Sequence, residues 1–191
     1  MGGTGLNAFM FLISSIFNFY IMVLFIRLML GFVNADYNHP LTQFVIKLTS
    51  FIVKPMKKFI PDVRGIEIAT IVLIILVILL KFLVLILISY GIPNLLGLLI
   101  LAIGDALKLF LMTLSLALIV QVLLSWVMPT SPVYPILARF TSPITQPLQK
   151  VIPLVSGVDI TPLVALVILQ LLVIIVANPI ISSGLAVAVR A

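Results

Sequence analysis

Apolar residues run in long blocks along this chain, broken by two short polar segments and a few isolated charges. Leu6 to Ile26 carries no formal charge, and a helix of that length can cross a hydrocarbon core of about 30 Å. With its flank it predicts a first span over about 6–33. A cleaved leader is the competing reading, because Val33-Asn34-Ala35 resembles a small-residue cleavage site. The block is too long for a leader's apolar region and no basic stretch precedes it, which favours a retained span. Ile68 to Ser89 predicts a second span, about 68–89, interrupted by Lys81 and closed by Tyr90-Gly91-Ile92-Pro93. Residues 94–128 would reach roughly 50 Å as one helix, more than one crossing needs. Asp105 and Lys108 mark the expected break, leaving 94–104 interfacial and a third span over about 106–127. Pro162 to Asn178 predicts the fourth, about 162–178, with Pro179 ending or kinking it.

The polar segments repeat. Thr49 to Gly65 returns at Thr141 to Gly157, ninety-two positions later, and residues 40–69 match 132–161 at 11 of 30 positions. The expectation is an all-α membrane protein with four transmembrane helices in two parallel helix–loop–helix repeats, 1–93 and 94–191. Each loop is expected to hold an amphipathic interfacial helix, within 40–61 and 132–153. In the first, Leu41, Phe44, Val45, Leu48, Phe51 and Ile52 form a helical stripe opposite Lys47, Thr49, Ser50 and Lys54. Pro55 should end that helix. Pro40, Pro55, Pro61 and Gly65, with Pro132, Pro147, Pro153 and Gly157, form a structural motif that shapes the re-entry of the next span. Glu67 and Asp159 then fall at helix N-termini, where a capping role accounts for both acids.

Composition sharpens this reading. At 63% apolar and 8% charged residues, the chain departs too far from soluble domains, and the expected solvent is a bilayer. With no cysteine and one histidine, His39, neither a metal nor another cofactor is expected, and no nucleic-acid partner is indicated. The basic residues collect in the repeated loops: Lys47, Lys54, Lys57 and Lys58 with Arg64 in the first, Arg139 and Lys150 in the second. The positive-inside rule therefore places both loops in the cytoplasm and both termini outside. Lys47, Lys54, Lys57, Lys58, Arg139 and Lys150 are candidates for holding anionic headgroups or a protein partner; fixing topology alone is the blander role. Inside the spans, Arg27, Lys81, Gln121 and Gln170 are the clearest polar side chains. Arg27 lies close enough to the loop to snorkel, Asp105 is the nearest acid for Lys81, and the two glutamines suit hydrogen bonds between helices. No phosphate loop, histidine dyad or spaced carboxylate pair appears, so a non-enzymatic role is expected.

The doubled pattern resembles the YggT family of bacterial inner-membrane proteins. It reads Arg27-x4-Phe32, Asn38-His39-Pro40, Thr49 to Pro55, Lys58, Pro61 and Gly65-x-Glu67. The second copy reads Gln121-x4-Trp126, Ser131-Pro132, Thr141 to Pro147, Lys150, Pro153 and Gly157-x-Asp159. The resemblance implies the double-repeat form, an inner-membrane location, and roles associated with osmotic stress and cell division, or with cytochrome haem assembly in chloroplast relatives. It carries over no catalytic residue, and Gln121 departs from it where the first copy has Arg27. The resulting expectation is a scaffold or assembly factor acting through lipid or protein contacts, possible homo-oligomers included. The alternatives are a small transporter or channel component, with Arg27 and Lys81 lining a path, and a haem-assembly factor.

Overall fold

The computed structural model describes residues 2–36, 38–63, 65–153 and 159–189, and all of its regular structure is helical. The helices are α1 (Gly2–Phe32), α2 (Pro40–Lys57), α3 (Ile68–Ser89), α4 (Leu95–Val127), α5 (Tyr134–Gln149) and α6 (Thr161–Val189). Among the described residues, α1, α3, α4 and α6 are long and apolar enough to cross a bilayer. That pattern is the signature of a membrane protein. The shorter α2 and α5 each join two of these spans.

Local chemistry sets the boundaries. His39 caps α2 by accepting the Leu41 N–H at Nδ1, and Pro40 follows in the first turn, where its missing N–H costs nothing. Asn94 caps α4, accepting from the Leu96 N–H at 2.9 Å, so the helix begins at Leu95 and runs unbroken to Val127. The expected interfacial stretch over 94–104 is therefore the first part of this span. Asp105 does not interrupt it because its charge is matched by Lys81 from α3. Pro55 does not end α2 either; the helix continues to Lys57, since the lost bond falls in the last turn. The fourth span also runs past its expected end. A π-helical turn over Val173–Ala177 precedes Pro179, and the Asn178 N–H reaches back to the Val173 carbonyl. The wider turn leaves room for the proline ring, and α-helix resumes to Val189.

Helix α4 is the centre of the packing and touches α1, α3, α5 and α6. One buried cluster joins Val23 and Met29 of α1, Leu114 and Leu118 of α4, Phe140 of α5 and Leu169 of α6. A second joins Ile21, Leu24 and Phe25 of α1 to Leu73, Ile74 and Ile78 of α3, with Leu109 of α4. Between spans in lipid there is no hydrophobic gain to draw helices together, so close backbone approach and dispersion must do it. Glycines permit that approach between α4 and α6. A Cβ added at Gly97 would lie 2.2 Å from the Ala188 nitrogen, and one at Gly184 would lie 2.7 Å from the Leu101 nitrogen. The Asn94 N–H also donates to the Ala188 carbonyl at 3.0 Å, closing the seam.

This seam makes a direct prediction. Gly184→Leu should lower the melting temperature in detergent sharply, because backbone rather than a flexible side chain stands in the way. Gly31→Ala, with nothing within 4 Å of the new methyl, should leave melting almost unchanged. Equal effects of the two changes would show that the α4–α6 contact does not limit stability.

Candidate functional site

The densest polar cluster lies where α1, α2 and α3 meet. Arg27 sits on the buried side of α1 and is 8% exposed. Its Nε donates to Glu67 Oε2 at 2.7 Å and its Nη2 to Oε1 at 3.2 Å. Its Nη1 donates to Thr49 Oγ1 at 2.7 Å and to Ser50 Oγ at 3.4 Å, both on α2. Thr49 can accept because its own hydrogen is directed to the Val45 carbonyl. Lys57 Nζ adds 2.7 Å to Glu67 Oε1 and 2.9 Å to Asp62 Oδ2, and Thr70 Oγ1 donates to Glu67 Oε2 at 2.8 Å. Arg27 therefore turns inward instead of snorkelling, and one guanidinium ties three helices together. Glu67 stands at the N-cap position of α3, but its carboxylate makes no bond to the helix backbone and the expected capping role does not hold. It accepts four hydrogen bonds from side chains instead. A turn at Gly65 (φ +81°), closed by reciprocal backbone bonds between Val63 and Ile66, sets its position.

Burial alone would push the Glu67 carboxyl up, but hydrogen bonds from Arg27, Lys57 and Thr70 outweigh it and hold the group down at about 2. Burial likewise opposes charge on Lys57, yet Glu67 and Asp62 raise it overall. Beside this cluster opens a cleft of about 240 Å³, lined by Arg27, Asn34, Asp36, Thr42 and Glu67 over an apolar floor.

The corresponding positions in the second half make a version without cations. Gln121 Oε1 lies 2.6 Å from Thr141 Oγ1, where the first half has Arg27 and Thr49. Gln149 Nε2 donates to Asp159 Oδ2 at 3.0 Å, where the first half has Lys57 and Glu67. Asp159 also caps α6 through the Thr161 N–H.

A second charged cluster lies deeper. Lys81, 2% exposed, donates to the Asp105 carboxylate of α4 and to Asn18 Oδ1 of α1 at 2.9 Å, with its ammonium 4.6 Å from the Phe82 ring centroid. The expected pairing with Asp105 thus forms, buried between the helices. Along α1 and α3, Ile21, Leu24, Ile74 and Ile78 separate this pair from Arg27, each no more than 2% exposed. The two clusters are isolated from each other by dry core.

The remaining candidates divide. Lys47, Lys54 and Lys58 are exposed along α2 and its cap, whereas Lys57 is engaged with Glu67 and Asp62. Arg139 and Lys150 are exposed on and after α5. Gln121 makes its contact between helices, but Gln170 is exposed on α6 and has no partner among the described residues. Pro40 opens α2, Pro132 precedes α5, Pro61 and Pro153 follow the two helices, and Pro55 and Pro147 lie within them. Gly157 and Arg64 lie outside the described residues. Phe32 and Trp126, at the loop ends of their spans, are 70% and 74% exposed, as interfacial aromatics are expected to be.

Sequence reasoning missed Asn18 and the hydroxyls of Thr49, Ser50 and Thr70 as partners. A signal for the first cluster was present. Around a Thr kept in both copies (Thr49, Thr141), Arg27, Lys57 and Glu67 become Gln121, Gln149 and Asp159, so both cations are lost in the same copy.

Two predictions follow from these ion pairs. Because the Glu67 carboxyl is depressed from 4.5 to about 2, its stabilisation is complete above about pH 4.5 and is lost as pH falls through that window. Melting in detergent should be flat from neutral pH to about pH 5 and fall below it, and Glu67→Gln should start lower and lose much of that acid sensitivity. Lys81→Met should cost roughly 3–5 kcal/mol by stranding Asp105. Lys81→Met with Asp105→Leu should recover most of that loss, as read by denaturation in mixed micelles. No recovery would mean the pair has a role beyond mutual neutralisation.

The comparisons place the chain among known proteins. The family model CCB3/YggT matches residues 6–88 and 100–180. An uncharacterised protein of Pseudomonas aeruginosa is 34% identical over 179 residues, covering 91% of each chain. The "Uncharacterized protein in proC 3'region" of Vibrio alginolyticus is 33% identical over 168 residues, 86% of this chain and 91% of the relative. The "Uncharacterized protein YggT" of Escherichia coli K12 is 28% identical over 170 residues, 87% of this chain and 88% of its own. No solved structure matches. With both halves matched by one family model and full-length relatives at this identity, the chain belongs to the CCB3/YggT family.

Proposed function

We propose that this is a non-enzymatic scaffold of the bacterial inner membrane, built as two parallel helix–loop–helix repeats that present α2 and α5 at the cytoplasmic leaflet. The observation that carries this reading is the three-sided character of α2. Thr42, Val45, Thr49 and Val53 are buried against the bundle. Phe44 and Phe51, 64% and 88% exposed, form an apolar side turned away from it. Gln43, Lys47, Ser50 and Lys54 occupy a third, polar side. A helix with one face in protein, one apolar and one cationic is suited to the membrane surface, its aromatics among acyl chains and its lysines at headgroups. Arg27, itself held by Glu67, fixes it in that plane by donating to Thr49 and Ser50.

In this reading the first repeat binds anionic headgroups or an acidic partner, and the second, with Gln146 and Gln149 in place of lysines, is mainly architectural. An envelope or osmotic-stress role fits such a surface sensor or assembly platform. The dry core between Arg27 and Lys81 favours scaffold over transport, since a path would need water to connect them. His39 accepts the Leu41 N–H at Nδ1 and its Nε2 is buried, so neither nitrogen faces an open site, which weighs against a haem-ligand role.

The test is Lys47, Lys54 and Lys58 changed together to Gln, with Lys57 left in place because it belongs to the ion-pair cluster. At about 1 kcal/mol per cation, the triple variant should retain phosphatidylglycerol at least tenfold less well in native mass spectrometry. Arg139→Gln with Lys150→Gln should have a smaller effect. Unchanged retention in the triple variant would remove the lipid-surface reading.

A further inference from the structure

Two amides on α6 are in the wrong solvent. Gln170 and Asn178 are both exposed, and neither side chain has a hydrogen-bond partner among the described residues. Three serines on the spans, by contrast, are satisfied within their own helix: Ser115 donates to the Leu111 carbonyl, Ser182 to Pro179 and Ser183 to Ile180. At 1.5 Å per residue, Gln170 lies roughly 13 Å and Asn178 roughly 25 Å along the axis from Thr161, on a helix roughly 43 Å long. A hydrocarbon core of about 30 Å centred on α6 includes both positions. Neither side chain has the reach to escape it, and an unpartnered amide in hydrocarbon is strongly unfavourable.

The π turn places the two amides in one row. Leu169, Val173 and Ala177 form the buried row of α6, and the residues directly after them are Gln170, Ile174 and Asn178. In an unbroken α-helix a four-residue spacing drifts about 40° per step around the axis. The wider turn over Val173–Ala177, closed by the Asn178 N–H to the Val173 carbonyl, cancels that drift. Ile174, 52% exposed, then sits between the amides with its apolar side chain outward.

We propose that this row is the interface with a second copy of the chain, α6 packed beside α6 about a two-fold axis normal to the membrane. A carboxamide carries both donor and acceptor, so it is complementary to itself. Two copies inserted in the same orientation bring Gln170 to Gln170 and Asn178 to Asn178 at equal depth, a match that symmetry supplies without further design. An unrelated partner would have to offer polar groups at both of these depths.

The natural absence of cysteine makes the test direct. Ile174→Cys, oxidised in native membranes, should give a disulfide-linked dimer, whereas Leu116→Cys, 43% exposed on α4, should remain monomeric. In liposomes of phosphatidylethanolamine and phosphatidylglycerol, energy transfer between labelled copies should report a dimer. Gln170→Leu with Asn178→Leu should weaken that association about tenfold while leaving melting unchanged or raised. The proposal fails if the native protein is monomeric at every protein-to-lipid ratio, or if the double variant associates as tightly as the native chain. It fails equally if both cysteines cross-link alike, or if Ile174→Cys links only to a different protein. Should the double variant not fold, the cysteine pair still decides.

Discussion

A charge placed among apolar helices must find its counter-charge inside the protein, and this requirement organises the molecule. Arg27 meets it by drawing Glu67 from the start of α3 and two hydroxyls from α2 onto one guanidinium. The loop helix is consequently docked by charge-assisted hydrogen bonds as well as by Val45 and Val53. Lys81 meets the same requirement lower in the bundle with Asp105 and Asn18, which pins α3 to α4 and α1. Each pair sits at a junction of three helices, where a mismatch would be hardest to relieve.

The two halves satisfy this requirement with different chemistry on similar positions. In the second, Gln121 stands at the Arg27 position and Gln149 at the Lys57 position, so an uncharged amide replaces a cation at each contact: Gln121 meets Thr141, and Gln149 donates to the Asp159 carboxylate. Neutral pairs cost less to bury and attract anions less. Duplication with unequal charge therefore leaves one basic surface helix and one nearly neutral one on a shared frame. The frame itself is tightened at α4 and α6, where Gly97 and Gly184 let backbone meet backbone.

Much of the architecture was legible in the residue pattern because hydropathy and capping are local. The apolar blocks located all four long helices, and the stripe over 40–55 located α2. Two of the places where local rules failed were decided by a contact from elsewhere in the chain, and a third by the backbone of the helix itself. Asp105 reads as a break until Lys81 neutralises it, and Arg27 reads as snorkelling until Glu67 and Thr49 are brought beneath it. Pro179 reads as a terminus until the π turn makes room for its ring.

Taken alone, the sequence determined the solvent of the chain, the number of long apolar helices, the doubled loop pattern and the family. These depend on composition, on runs of similar residues and on motif spacing, all carried by neighbouring positions. The tertiary structure decided which polar groups meet: that Lys57 is engaged while Lys47, Lys54 and Lys58 stay exposed, that Lys81 is neutralised, and that Gln170 is left without a partner among the described residues. Those outcomes depend on distances of a few ångströms between residues far apart in the chain, because a hydrogen bond or ion pair in low dielectric is decided by direct contact.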